Sequence, residues 1–236
     1  MSPFFNTHPF NTLGYAVGTI TVLLMAWKLW QGQRKSPTDF NGYYLRFDIL
    51  LAASFVCWAL PFFFGTNPEF MRRCSLAGMI FLYISLLYQA VIFWYLALRS
   101  KIPLWIPVVV LAALESVSLW LQYQNTNPYV SNGILHWGIT PAAIHLHGFI
   151  VFISFIPVGC YLLLAAAKQT GINQLKTTVF GLAYVIVAGS EVISNFAFSG
   201  EDTITSTWAD ILIFAALFCV LLIPRHLSVT APASDY

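Results

Sequence analysis

The sequence predicts an all-α membrane protein: a seven-transmembrane-helix bundle, with its N-terminus outside and its C-terminus cytoplasmic. Three observations predict it. Apolar residues make up 58% of the 236-residue chain and charged residues 8%, against about a quarter charged in soluble domains. Seven apolar runs, at 12–31, 43–65, 74–98, 103–122, 142–167, 176–198 and 206–224, are each about 19–26 residues long, against the ~20 a helix needs to cross the hydrocarbon core. They do not alternate in polarity and exceed the length of a barrel strand, so they read as helices. With the N-terminus outside, Lys28, Arg34, Lys35, Arg46, Arg99, Lys101, Lys168, Lys176 and Arg225 fall on the cytoplasmic side, and only Arg72 and Arg73 fall outside. That bias sets orientation.

Taken in order, the first span leads into a polar inner loop around Gln31 to Asn41. The second carries Asp48 near its inner end beside Arg46, where it reads as an interfacial cap or ion-pair partner. The third holds a stripe of Gly78, Ser85 and Gln89, and the fourth places Ser118 one turn from Glu115. The connection from Gln122 to Pro141 is the longest and is rich in Asn, Pro, Gly and Ser, as turn-bearing loops are. Its Ile134, Leu135 and Trp137 are expected to tuck against the bundle mouth or the interface. The fifth span carries His145 and His147. The short inner loop Lys168 to Lys176 follows. Gly181, Tyr184, Ala188, Glu191 and Asn195 recur at three or four residues, so they share one face of the sixth span. The seventh opens near Asp210, and 226–236 forms a short cytoplasmic tail. Trp30, Tyr43, Tyr44, Trp105, Trp137 and Trp208 sit near span ends, as interfacial belts do. The whole chain is one domain.

Ionisable groups inside a membrane are costly and normally face the bundle interior or a water-filled cavity. Glu115, His145, His147, Glu191 and Asp210 fall in one layer of the outer half, with Asn195 beside them on the sixth span. These six are the candidate ligand-binding residues, lining a polar pocket for a small ligand, a proton or a cation. The competing reading is that the acids are neutral and hydrogen-bonded, holding helices together. His145 and His147 are two apart and point about 200° from each other on a helix, so they do not chelate one ion. No metal, cofactor or catalytic residue is assigned. Cys57, Cys74, Cys160 and Cys219 form no CxxC and no pair in the outer loops, so neither a disulfide nor a zinc site is expected.

Several classes are excluded. Every lysine lies at a cytoplasmic edge, which leaves no Schiff-base lysine for a retinal pigment. The Asp-Arg-Tyr and Asn-Pro-x-x-Tyr motifs of common G-protein-coupled receptors are missing. No basic run interleaved with aromatics suggests nucleic acid. No internal repeat supports an inverted-repeat transporter, and no cleavable leader is expected in the first ten residues.

Weak motifs across most of the chain point in one direction. They are Trp58 and Leu60, the aromatic end Phe93-Trp94-Tyr95, and Thr126-Asn127-Pro128 followed by His136-Trp137. With them go the His-bearing fifth span, the inner loop Lys168 to Lys176, Asn195, and Asp210. In these the chain resembles the seven-helix sensor region of bacterial histidine kinases and diguanylate cyclases. The resemblance implies signal perception by the bundle. Members of that family continue into a cytoplasmic output domain, whereas the tail after Arg225 is too short for one. The expectation is therefore a non-enzymatic membrane sensor, receptor-like or accessory, in a plasma membrane of bacterial inner-membrane type. It would contact membrane lipids and signal to a separate protein partner at the cytoplasmic face or within the membrane. One alternative is a structural subunit of an electron-transfer or photosynthetic complex. Another is an integral-membrane enzyme using an intramembrane carboxylic acid, as terpene cyclases do. Their Asn-x-x-Trp-Glu pattern is not found; that stretch reads Phe55-Val56-Cys57-Trp58-Ala59.

Overall fold

The computed structural model describes residue 9, residues 11–193 and the isolated positions Ile213, Ala215, Ala216 and Cys219. Six long helices make up the described chain: α1 (Thr12–Lys35), α2 (Asp39–Phe64), α3 (Pro68–Phe93), α4 (Trp105–Asn125), α5 (Pro141–Ala166) and α6 (Gly171–Val192). All six are long and apolar enough to cross a membrane, which marks the chain as a multi-pass membrane protein. The expected seventh span, 206–224, lies outside the described residues except for the four isolated positions, which are helical. The tail 226–236 also lies outside them.

Two helices, α2 and α3, start where capping side chains dictate rather than where hydropathy changes. Gln31 to Lys35 continue α1, so the expected polar loop shrinks to residues 36–38. Thr38 ends that loop: its Oγ1 accepts the Asn41 amide at 3.2 Å and caps α2. Asn67 caps α3 in the same way, its Oδ1 accepting from Glu69 N (3.0 Å) and Phe70 N (3.1 Å), with Pro68 in the first helical turn. Six residues of α3 thus precede the expected start at 74. At its other end α3 passes into a π-helical turn, Trp94–Leu98. Trp94 Nε1 donates to the Ile102 carbonyl at 2.6 Å and closes the bend.

Between α4 and α5 lies an antiparallel hairpin, β1 (Tyr129–Ser131) and β2 (Ile134–His136), which the sequence reading treated as loop. Asn132 and Gly133 both have positive φ (52° and 77°), as the central pair of a type I′ turn must. The Asn11 side chain acts as a short third strand. Its Nδ2 donates to the Leu135 carbonyl (2.9 Å), and its Oδ1 accepts the Leu135 amide (3.0 Å). The hairpin defines one end of the bundle. The α1–α2 and α5–α6 turns lie at the far end.

Packing divides the bundle into two closely packed units. Helix α2 packs extensively on both α1 and α3, and α5 packs on α6, while α4 touches α3 and α5 more lightly. In the second unit Gly159 and Gly181 face each other. A Cβ on Gly181 would stand 3.1 Å from the Gly159 carbonyl and 2.8 Å from Leu163 Cγ. Such small-residue pairs let helix backbones approach closely in membranes. The outer faces are apolar: Val17, Ile20 and Trp27 on α1 and Val109, Val110 and Trp120 on α4 are exposed, as a lipid-facing surface requires.

Candidate functional site

A cavity of about 570 Å³ runs through the bundle between the two packed units. At the hairpin end it is bounded by Asn11, Leu135 and Trp137, along its middle by Leu51, Phe55 and Trp58 of α2 and Val151 of α5, and at the far end by Tyr44 and Asp48. From Trp58 to Asp48 is ten residues of helix, about 15 Å of length. The α2 lining residues Tyr44, Asp48, Leu51 and Phe55 recur at helical spacing, which puts them on one face.

Two polar clusters tie the units together across this space. In the first, the Tyr83 hydroxyl of α3 is the hub. It lies 2.6 Å from Ser118 Oγ and 3.1 Å from His147 Nδ1, and it accepts from Gln122 Nε2 at 3.1 Å. Gln122 Nε2 also reaches Ser118 Oγ at 3.3 Å. On the other edge of the imidazole, His147 Nε2 stands 3.9 Å from Glu191 Oε2. One proton assignment fits these contacts: Ser118 and Gln122 donate to Tyr83, Tyr83 donates to Nδ1, and the Nε2 proton faces the Glu191 carboxylate, while Gln122 Oε1 has no partner among the described residues. The cluster draws on α3, α4, α5 and α6, and Tyr83 and Gln122 are fully buried.

The second cluster lies nearer the far end. The Tyr44 and Tyr184 hydroxyls are hydrogen-bonded to each other, and Tyr184 donates to Gln89 Oε1 at 3.2 Å. Tyr184 has one proton, so Tyr44 is the donor of the pair. Asp48 lies one turn from Tyr44 and within electrostatic range of both hydroxyls. It is 1% exposed, yet neither carboxylate oxygen has a hydrogen-bond partner among the described residues. The sequence reading made Asp48 an interfacial cap or ion-pair partner beside Arg46; the structure corrects this. Two residues apart on a helix, the side chains diverge. Arg46 goes to the Tyr88 ring, 5.9 Å from its centroid, while Asp48 turns inward. Tyr44, read as part of an interfacial belt, is likewise buried.

Of the candidate residues, His147 and Glu191 line the cavity and approach each other. Glu115 is buried on α4, its Oε1 without a partner among the described residues, but it does not line the cavity. His145 is half-buried and also off the cavity wall. Asn195 and Asp210 lie outside the described residues. The face read on the sixth span divides: Gly181 packs on α5, while Tyr184 and Glu191 border the cavity.

The sequence reading missed Tyr83 and Gln122. Tyr83 carried a usable signal. It is a tyrosine far from either end of its helix, where its hydroxyl needs an internal partner rather than an interfacial one. Gln122 falls at the expected end of the fourth span, where hydropathy assigns it to the loop, although α4 continues to Asn125.

The arrangement suits binding. A largely apolar wall with a few convergent polar groups, within the ~300–1,000 Å³ usual for small-molecule sites, can hold and orient an amphipathic molecule. No protein-family model matches the chain, and no curated protein matches it significantly.

Proposed function

We propose that this chain is a non-enzymatic, receptor-like membrane protein that binds a small amphipathic ligand in its central cavity and passes the occupancy to a separate protein partner. The observation that carries this reading is the cavity itself. It is bounded by two packed units and bridged by two hydrogen-bonded clusters, so a ligand in it contacts both units. A ligand that favours one spacing of the units over another shifts the population toward it. In the topology that goes with this reading, 206–224 is a seventh span, the N-terminus and hairpin face outside a plasma membrane, and the far end faces the cytoplasm. The uneven distribution of Lys and Arg between the two ends supports that orientation. Arg34, Lys35, Arg99 and Lys101 then form the partner-facing surface.

The test is native mass spectrometry of the full chain, extracted gently from its own membrane, beside an Ala183→Trp variant. Ala183 lines the cavity, so an indole there occupies its volume. The expected result is a bound small-molecule mass on the wild-type protein that is lost from a folded variant. Identical spectra for the two proteins, with no small-molecule mass on either, would overturn the reading.

A further inference from the structure

Asp48 is a charge-bearing group for which the described protein provides no counterpart. Both of its oxygens are buried without a hydrogen-bond partner, and no described Lys, Arg or His nitrogen comes within ion-pairing distance of them. Neither protonation state is satisfied. An ionised carboxylate needs donors or a cation, and a neutral carboxylic acid needs an acceptor for its proton. The Tyr44 and Tyr184 hydroxyls are committed elsewhere, since Tyr44 donates to Tyr184 and Tyr184 donates to Gln89.

The surroundings of Asp48 are aromatic. Tyr44 and Phe47 pack edge to face at 6.2 Å between centroids, Phe47 and Phe155 do the same at 6.2 Å, and Phe155 meets Tyr184 at 5.3 Å. All four rings, with Asp48, line the far end of the cavity. Aromatic rings around a cation attract it through their quadrupoles, and more strongly when water is excluded. Among the described residues no three His, Cys, Asp or Glu side chains cluster as a metal site. The unmet charge is therefore suited to an organic cation rather than to a chelated ion.

From this geometry we infer that the cavity binds a protonated amine with an apolar body, its ammonium group on Asp48 within the Tyr44, Phe47, Phe155 and Tyr184 rings and its body extending along Leu51 and Phe55 toward the hairpin. This rests on the ligand-binding reading above and names the chemical class of the ligand. An ammonium supplies both missing items, hydrogen-bond donors and a positive charge.

The test uses the full chain in lipid nanodiscs and two probes of one shape, 4-phenylbutylamine and 4-phenyl-1-butanol, measured by calorimetry. Both can donate a hydrogen bond; only the amine is charged. The amine is expected to bind roughly thirty-fold more tightly than the alcohol. Asp48→Asn should remove most of that preference and leave the affinity for the alcohol within about three-fold. Asp48→Glu should keep part of the preference. Equal binding of the two probes to the wild-type protein, a comparison that needs no variant, would overturn the cation assignment and leave the cavity reading standing. An amine affinity unchanged by Asp48→Asn would also overturn it. If neither probe binds but a small-molecule mass is still carried by the wild-type protein, the cation assignment alone falls. If neither probe binds and no mass is carried, both readings fall.

Discussion

The Tyr83 hydroxyl and Nδ1 of His147 meet at 3.1 Å across the gap between the two packed units of the bundle. They belong to α3 and α5, and no other bond in their cluster joins those two helices directly. Because Ser118 and Gln122 reach the same hydroxyl, one oxygen atom positions a histidine whose other edge faces Glu191 and the cavity.

Removing that oxygen tests its role. Tyr83→Phe keeps the ring and leaves Ser118, Gln122 and His147 without their shared partner in a buried site. A buried polar group deprived of its partner costs about 1–3 kcal/mol. A lower unfolding temperature in nanodiscs is expected, with an unchanged oligomeric state. An unfolding temperature equal to that of the wild-type protein would show that the hydroxyl carries no weight in holding the units together.

The hairpin gives a second, more local prediction. Asn11, at the N-terminal end of α1, links the hairpin to that helix through two side-chain bonds to the Leu135 backbone. Asn11→Ala deletes both, at about 0.5–1.5 kcal/mol each. Hydrogen exchange at the Leu135 amide should accelerate by about five-fold to about 150-fold, because local opening becomes easier. The centre of α5 should exchange as before. Equal protection of Leu135 in both proteins would mean that its burial under the loop, rather than Asn11, holds the hairpin.

The Gly159–Gly181 crossing predicts a cost of the opposite kind, overpacking instead of loss. Gly181→Val would press a branched side chain against Leu163 and the Gly159 carbonyl, at about 1–3 kcal/mol or more. Thermal unfolding of the variant should begin earlier, and ligand occupancy should fall because α6 also lines the cavity. Wild-type stability would show that the two backbones have room to separate.

Much of the architecture was legible in the chain because hydropathy over twenty residues reports directly on the medium around a helix. Six of the expected spans coincide with helices, and the errors lie at their ends. There Thr38 and Asn67 begin helices in polar residues that a hydropathy window discounts. The hairpin was legible too, in the Asn132-Gly133 pair flanked by Val130 and Leu135, although the loop's length hid it.

The site was less legible. Composition and spacing determined that ionisable groups stand inside the bundle, that Glu191 and Tyr184 belong to one stretch of α6, and that His145 and His147 point apart. Only the tertiary structure decided which groups meet. It put His147 beside Glu191 and left Glu115 off the cavity wall. It also brought Tyr44 to Tyr184 across 140 residues of sequence and turned Asp48 inward without a partner. The physical reason is that helical periodicity assigns a residue to a face, whereas the rotation of each helix is set by packing. Contacts such as Gly159 against Gly181 depend on both partners at once and are not written in either segment alone.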